Sequence, residues 1–260
     1  MERAIRMAHE VLGRVGGTVY GLHEIVHNEA VVGALSSKGM VFVDSVAEIP
    51  DGATVLVSAH GTSPATYDEA ERRRLNVVDA TCPFVAAGHA KIRENFRRGL
   101  RTLIVGNPEH AEVRGYLGET GACLQEDVRP GEQPGIVVQT TLDAAEHEGV
   151  CTATRDRQSA VRRFLEKEFS KGLTPSSVGV LVAGSAKSSN TAKLADMAKQ
   201  AGASVWRVAC GDEVAGLDFS GIEVVGVTSG ASTPEDVFAG VCAAARAKRQ
   251  CADGMGKNGK

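Results

Sequence analysis

No apolar run in the 260 residues approaches the roughly 18 that a membrane-spanning helix needs. The opening Met1-Glu2-Arg3-Ala4-Ile5 carries none of the marks of a secretory leader, so the expected location is the cytoplasm. An excess of charge is missing too. With 29 Lys and Arg against 32 Asp and Glu the net charge is -3, which gives no basis for a nucleic-acid or membrane partner and leaves any anion binding to local groups. The phosphate-loop spacing G-x-x-x-x-G-K-[ST] is absent, although Gly184-Ser185-Ala186-Lys187-Ser188-Ser189-Asn190 resembles it superficially, and no G-x-G-x-x-G follows a strand-like run. The six cysteines, Cys82, Cys123, Cys151, Cys210, Cys242 and Cys251, are too scattered for a disulfide scaffold and form no C-x-x-C pair. Taken singly, each reads as a small buried hydrophobe. No nucleophile-base pair is recognisable by motif, which leaves an ordinary hydrolase or isomerase unsupported.

What is present is a recurring unit: a short β-branched run, a loop of Ser, Thr, His or Gly, then an amphipathic stretch. That pattern marks a parallel sheet with helical crossovers, and 43% hydrophobic content supplies enough apolar surface for its core. Thr54-Val55-Leu56-Val57 leads to His60-Gly61-Thr62-Ser63-Pro64, where Ser63 and Pro64 suit the cap and first turn of a helix carrying Tyr67 to Arg74. Gly135-Ile136-Val137-Val138 leads to Gln139-Thr140-Thr141, and Val224-Val225-Gly226-Val227 leads to Ser232-Thr233-Pro234-Glu235. A second series interleaves: Thr18-Val19-Tyr20 before His23 to Asn28, Leu103-Ile104-Val105 before Gly106 to Glu112, and Val180-Leu181-Val182 before Gly184 to Asn190. Helical faces are formed by Ile5, Ala8 and Leu12, by Val161, Phe164, Leu165 and Phe169, and by Leu194, Met197 and Ala201. The expected organisation is therefore α/β, with three similar small units at 1–82, 83–150 and 151–243 and a flexible tail at 244–260.

Loops leaving the carboxyl ends of parallel strands emerge on one side of a sheet, where α/β folds bind ligands. Here those loops hold His27, Asn28, His60, Thr62, His110, Thr140, Thr141, Ser188, Ser189, Asn190 and Ser232. Hydroxyls, amides and imidazoles at helix N-termini suit phosphate oxygens without many full charges, although any one of them also serves as a plain helix cap. His110 and Glu112, two apart in one such loop, are candidates for acid-base work, with a capping His and a solvated Glu as the alternative.

The ordered runs His27-Asn28, Ser58-Ala59-His60-Gly61, Asp79-Ala80-Thr81-Cys82-Pro83, His110-Ala111-Glu112-Val113, Gln139-Thr140-Thr141-Leu142, Cys151 with Ala153-Thr154 and Arg157-Gln158, Ser188-Ser189-Asn190 and Gly230-Ala231-Ser232 span nearly the whole chain. In that order they resemble the LytB family of 4-hydroxy-3-methylbut-2-enyl diphosphate reductases. The resemblance implies three α/β units arranged as a trefoil around a central 4Fe-4S cluster. It implies Cys82 and Cys151 as two of three cluster thiolates. It also implies Glu112 as the proton donor to the leaving hydroxyl, partnered by His110 and Thr140. His27, Asn28, His60, Thr141, Ser188, Ser189, Asn190 and Ser232 would hold the diphosphate. The implied reaction removes the allylic hydroxyl with two electrons from ferredoxin or flavodoxin and two protons, yielding isopentenyl and dimethylallyl diphosphates.

Two departures accompany the resemblance. The family's first cysteine lies in a Gly-Phe-Cys-Ala-Gly type loop ahead of the first helix, whereas this sequence opens inside that helix; a missing amino-terminal segment is the expected reason, with Cys210 or Cys123 as alternative ligands that sit in no matching motif. In the middle unit only Asp143 to Val150 separates Thr141-Leu142 from Cys151, so the helix found after the corresponding strand elsewhere is expected to be lost. A reductase of a different small allylic diphosphate and a cluster-free diphosphate-binding homologue are the alternative functions.

Overall fold

The computed structural model describes residues 1–255, with side chains through Gln250. Its contacts divide the chain after Cys151 into two units. The first begins with α1 (Glu2–Arg14), β1 (Val19–Leu22), α2 (Glu29–Ser37), β2 (Met40–Val43), β3 (Thr54–Val57), α3 (Pro64–Arg72) and β4 (Asn76–Asp79). It continues with α4 (Pro83–Arg97), β5 (Thr102–Val105), α5 (Ala111–Leu117), β6 (Ala122–Cys123) and β7 (Gly135–Val138). The second unit holds α6 (Thr152–Ser170), β8 (Val178–Ala183), α7 (Ser189–Gln200), β9 (Ser204–Val208), β10 (Val224–Ser229) and α8 (Glu235–Met255).

Three sheets result, ordered β2-β1-β3-β4, β6-β5-β7 and β10-β8-β9, and every pairing in them is parallel. In each, the first strand in sequence lies between the next two, with β4 added at the edge of the first sheet. This repetition is the structural form of the sequence pattern, and all six strands read from it are present. Four more, β2, β4, β6 and β9, are short flanking strands that the pattern did not single out.

Alternation along the strands decides which face each helix covers. Val178, Val180 and Val182 of β8 pack with Val161 and Leu165 of α6 and Leu194 and Ala198 of α7, while Leu181 and Ala183 face Val241 and Ala245 of α8. The first sheet is likewise covered twice. Val19 and Leu56 meet Ala4, Ala8 and Val11 of α1 and Val31 and Leu35 of α2, and Leu22 and Val55 meet Ala70 and Leu75 on the other side. The middle sheet has one such cluster, in which Ile104 and Val137 pack against Val85 and Ile92 of α4 and Val113 and Tyr116 of α5. Residues 139–151 form turns without a helix, and Ile136 on the opposite face is 62% exposed. The short middle segment therefore leaves one face of a parallel sheet bare within its own unit, contrary to the usual two-sided burial.

Residues 244–255 continue α8 as far as Met255 instead of starting a flexible tail there, and 256–260 lie outside the described residues. The sequence Ala243-Ala244-Ala245-Arg246-Ala247-Lys248-Arg249 is made of strong helix formers. Its cations are also anchored: Lys248 Nζ donates to the Ala215 carbonyl, and Arg249 donates to the carbonyls of Ile222 and Glu223.

Candidate active site and its polar loops

In the first unit, three strand ends place three imidazoles together. His27 follows β1, His60 follows β3, and His110 follows β5 as the N-cap of α5. The His27 and His60 rings stack with centroids 4.3 Å apart, and His110 stands edge-on to both at 5.4 and 5.5 Å. Among the described residues these are the three whose ligand atoms come close enough together to hold a metal ion. The hydrogen bonds favour an anion instead. His110 Nδ1 accepts the backbone N–H of Glu112 at 3.2 Å, so in the neutral ring the proton resides on Nε2, which then offers a donor and not a lone pair. Nε2 of His60, a residue 3% exposed, is buried without a hydrogen-bond partner. Such an atom is expensive to leave unpaired and suits a ligand that arrives to meet it.

Burial lowers the pKa of His60 well below the ordinary imidazole value, with His27 and His110 adding to the effect. Burial, His27 and Arg114 bring His110 down to about 4. Both rings are therefore neutral at pH 7 in the free protein. A bound anion favours the imidazolium, so binding takes up protons and tightens as pH falls below about 6.5. Inorganic pyrophosphate measured by calorimetry from pH 7.5 to pH 5.5 is expected to gain about tenfold more affinity for the wild type than for His110→Asn, the increment of one extra proton taken up. Asn preserves the cap of α5 while removing the titration, so equal pH dependence of the two proteins would contradict this role.

Next to the triad, Glu112 is 2% exposed and held by Thr140, whose N–H donates to Oε1 at 2.7 Å and whose hydroxyl donates to Oε2 at 2.9 Å. Burial raises the carboxyl pKa to about 7 against the opposing effect of the Thr140 donors and of Tyr116, so the group exchanges its proton near neutrality. The expected pairing with Thr140 is present. His110, expected to partner the carboxylate, binds the Glu112 backbone N–H and sits with the other imidazoles. Thr141 is fixed by Gln139, which donates to its hydroxyl at 2.8 Å and accepts the Asn107 N–H at 3.0 Å. Asn28 caps α2 through Val31 N–H at 3.1 Å, which is the plain capping role weighed for it.

The two cysteines named with this site occupy helix starts. Cys82 is the N-cap of α4, its N–H bonded to the Ala59 carbonyl beside His60; Cys151 immediately precedes α6, its N–H bonded to the Thr140 carbonyl. Both are partly exposed thiols, and the N–H groups of a helix start suit the negative charge of a thiolate. Cys123 differs: it is buried in β6 with its thiol on the Thr102 carbonyl, which removes it as an alternative ligand. Cys210 lies exposed after β9, in the second unit.

The second unit gathers its own polar loops at the ends of the neighbouring strands β8 and β10. Ser188 caps α7 through Thr191 N–H at 3.3 Å, with Ser189 opening the helix. Asn190 lies buried over Thr154, and Ser232 is buried in the loop after β10. That loop is pinned to the end of β8, where the Gly230 N–H and the Thr233 hydroxyl both donate to the Ala183 carbonyl. Asn190 Oδ1 is buried without a partner while Nδ2 reaches Thr154 Oγ1 at 3.5 Å. Turning the amide over gives Thr154 an acceptor and puts the two N–H donors in the place of Oδ1, donors being what an anion requires. The sequence pattern gives no role to Thr154, Tyr116 or His89; its only signal is the place of Thr154 three residues after Cys151 in one of the ordered motifs.

A family model described as LytB protein matches residues 1–246. The chain belongs to the LytB family. A 4-hydroxy-3-methylbut-2-enyl diphosphate reductase of Zymomonas mobilis is 36% identical over 274 residues, covering 94% of this chain and 78% of the relative. One from Tolumonas auensis is 36% identical over 267 residues, covering 90% and 83%. The solved structure of the E-1-hydroxy-2-methyl-but-2-enyl-4-diphosphate reductase from Plasmodium falciparum aligns with a TM-score of 0.81 at 26% identity, over 92% of this chain and 81% of that one. A second, titled (E)-4-hydroxy-3-methyl-but-2-enyl diphosphate reductase, the terminal enzyme of the non-mevalonate pathway, aligns with a TM-score of 0.66 at 28% identity over 94% of both chains. Reductases of the LytB family depend on iron-sulfur chemistry, and no described helix here is long and apolar enough to cross a membrane.

Proposed function

We propose that this LytB-family chain is a 4-hydroxy-3-methylbut-2-enyl diphosphate reductase, with the buried Glu112-Thr140 pair beside three clustered imidazoles as the observation that carries the reading. The reaction is R-OH + 2 electrons + 2 protons giving R-H and water, where R is the five-carbon allylic diphosphate. Hydroxide leaves poorly, so the departing oxygen needs a proton, and Glu112 is the buried acid placed to give it. Thr140 holds both carboxyl oxygens and so fixes the direction of that transfer. His27, His60 and His110 receive the diphosphate end as donors. Ser188, Ser189, Asn190 and Ser232 are the anion-binding groups of the second unit, and Asn28 and Thr141 support the loops of the first.

Cys82 and Cys151 would supply two of the three thiolates of the iron-sulfur centre, as soft donors suited to such iron. When bound, that centre supplies the two electrons, received from a ferredoxin or flavodoxin, and a Lewis-acidic iron for the hydroxyl. The chain's own residues bind, orient and protonate. The test is anaerobic reconstitution followed by iron and acid-labile sulfide analysis, an electron paramagnetic resonance spectrum, and product analysis with reduced ferredoxin. Isopentenyl and dimethylallyl diphosphates from a brown protein are the expected result. A colourless protein that still binds pyrophosphate would mean a diphosphate-binding homologue instead.

A further inference from the structure

Tyr116 lies four residues after Glu112 on α5, a spacing that puts both side chains on one helix face. It is 0% exposed, and its ring stands edge-on to His89 with centroids 4.8 Å apart. Its hydroxyl donates to the Val85 carbonyl of α4 at 3.3 Å, and the Glu112 carboxyl, one turn back on the same helix face, lies near enough for its charge to add to burial in raising the phenol's pKa. The slot for this hydroxyl is opened by Gly88, where any Cβ would collide with the phenol oxygen. Val85 lies in the first turns of α4, so its carbonyl has its own helical N–H partner and does not need the phenol. Phenylalanine would fill the same space without a polar atom to satisfy, so the hydroxyl has its use at Glu112.

We propose that Tyr116 is a positioning residue for the proton donor: its single hydroxyl proton hydrogen-bonds the Glu112 carboxylate once Glu112 has released its proton, and returns to the Val85 carbonyl when Glu112 is protonated. This rests on the reading of Glu112 as the acid of the reductase. The phenol transfers no proton. Burial and the Glu112 charge push its own pKa far above the ordinary value, and the proton that reaches the leaving hydroxyl comes from the carboxyl alone. Around the pair, α4 contributes Cys82 and His89, with Arg93 behind them. Glu119 binds His89 Nδ1 at 2.8 Å, α5 adds His110 and Arg114, and Cys151 lies beyond Thr140. None of these is changed by removing one hydroxyl oxygen.

The test follows the Glu112 carboxyl band by infrared spectroscopy as pH is varied in the chain without its cluster, the band being identified by its loss in Glu112→Gln. Tyr116→Phe removes a donor that stabilises the charged form, so the midpoint is expected to move to higher pH by about tenfold in proton affinity. In the reconstituted enzyme kcat falls about tenfold with KM nearly unchanged, and the alkaline limb of the pH profile moves up with the infrared midpoint. Gly88→Ala, which keeps the phenol but closes its slot, is expected to move the midpoint in the same direction and covers the case in which the Phe variant misfolds. An unchanged midpoint in both variants overturns the proposal, even in an active enzyme. If the reconstituted wild type shows no turnover, the reductase reading fails while the infrared midpoint still decides the role of Tyr116.

Discussion

Glu112→Gln is expected to abolish turnover, with kcat lowered by at least about a hundredfold, while pyrophosphate binding stays within about twofold of the wild type. The amide keeps the shape of the carboxyl and can still accept the Thr140 N–H, and its NH2 can donate to the Thr140 hydroxyl, so the loops carrying His60 and His110 have no reason to move. What it lacks is a proton to give. Equal losses in binding and turnover would mean that the carboxyl holds the site together and does not act as its acid.

The same substitution carries a stability signature whose sign follows from the raised pKa. In the folded chain Glu112 titrates at about 7, against 4.5 for the free side chain. Between these values the folded state retains a proton that the unfolded state has lost, so wild-type stability falls with rising pH across that window and stays reduced above it. Gln carries no charge at any pH. Its advantage over the wild type is therefore expected to grow from pH 4.5 to a plateau of about 3 kcal/mol above pH 7, read as the change in denaturant midpoint difference with pH.

Cys82→Ser is expected to eliminate iron and acid-labile sulfide from the reconstituted protein without unfolding it. Serine is among the preferred N-cap residues and Pro83 already sets the first turn of α4, so the helix start tolerates the exchange. The hydroxyl is a poor substitute for a soft thiolate on iron. Cys151→Ser should behave alike. Cys123→Ala should leave the iron content at the wild-type level, because that thiol is enclosed in the middle sheet. Iron retained at the wild-type level in Cys82→Ser would remove Cys82 from the ligand set.

Much of this protein is determined by its sequence alone. The six strands were legible because a parallel strand packed under helices is a short run rich in Val, Ile and Leu, and because the turn that follows must offer polar groups to the next helix. The same local logic marked Ser63 and Pro64 as a helix opening and exposed the lost helix between Thr141 and Cys151. Ordered motifs then identified the family. The flanking strands stayed hidden because β6 is two residues long and β4 is half-exposed, which leaves too little pattern to read.

Tertiary structure alone decided the chemistry. Residues 27, 60 and 110 become neighbours only when three strand ends meet, and the low proton affinity of His60 and His110 follows from that shared burial. The proton of Glu112 is poised near neutrality because packing removes water from a carboxyl while leaving it a few donors, a balance that no spacing encodes. Tyr116 reads in sequence as one more apolar position on α5, and its hydroxyl gains a use only where Gly88 of another helix makes room for it. Local periodicity fixes which face a residue occupies; what that face meets, and hence its charge state, is set by segments distant in the chain.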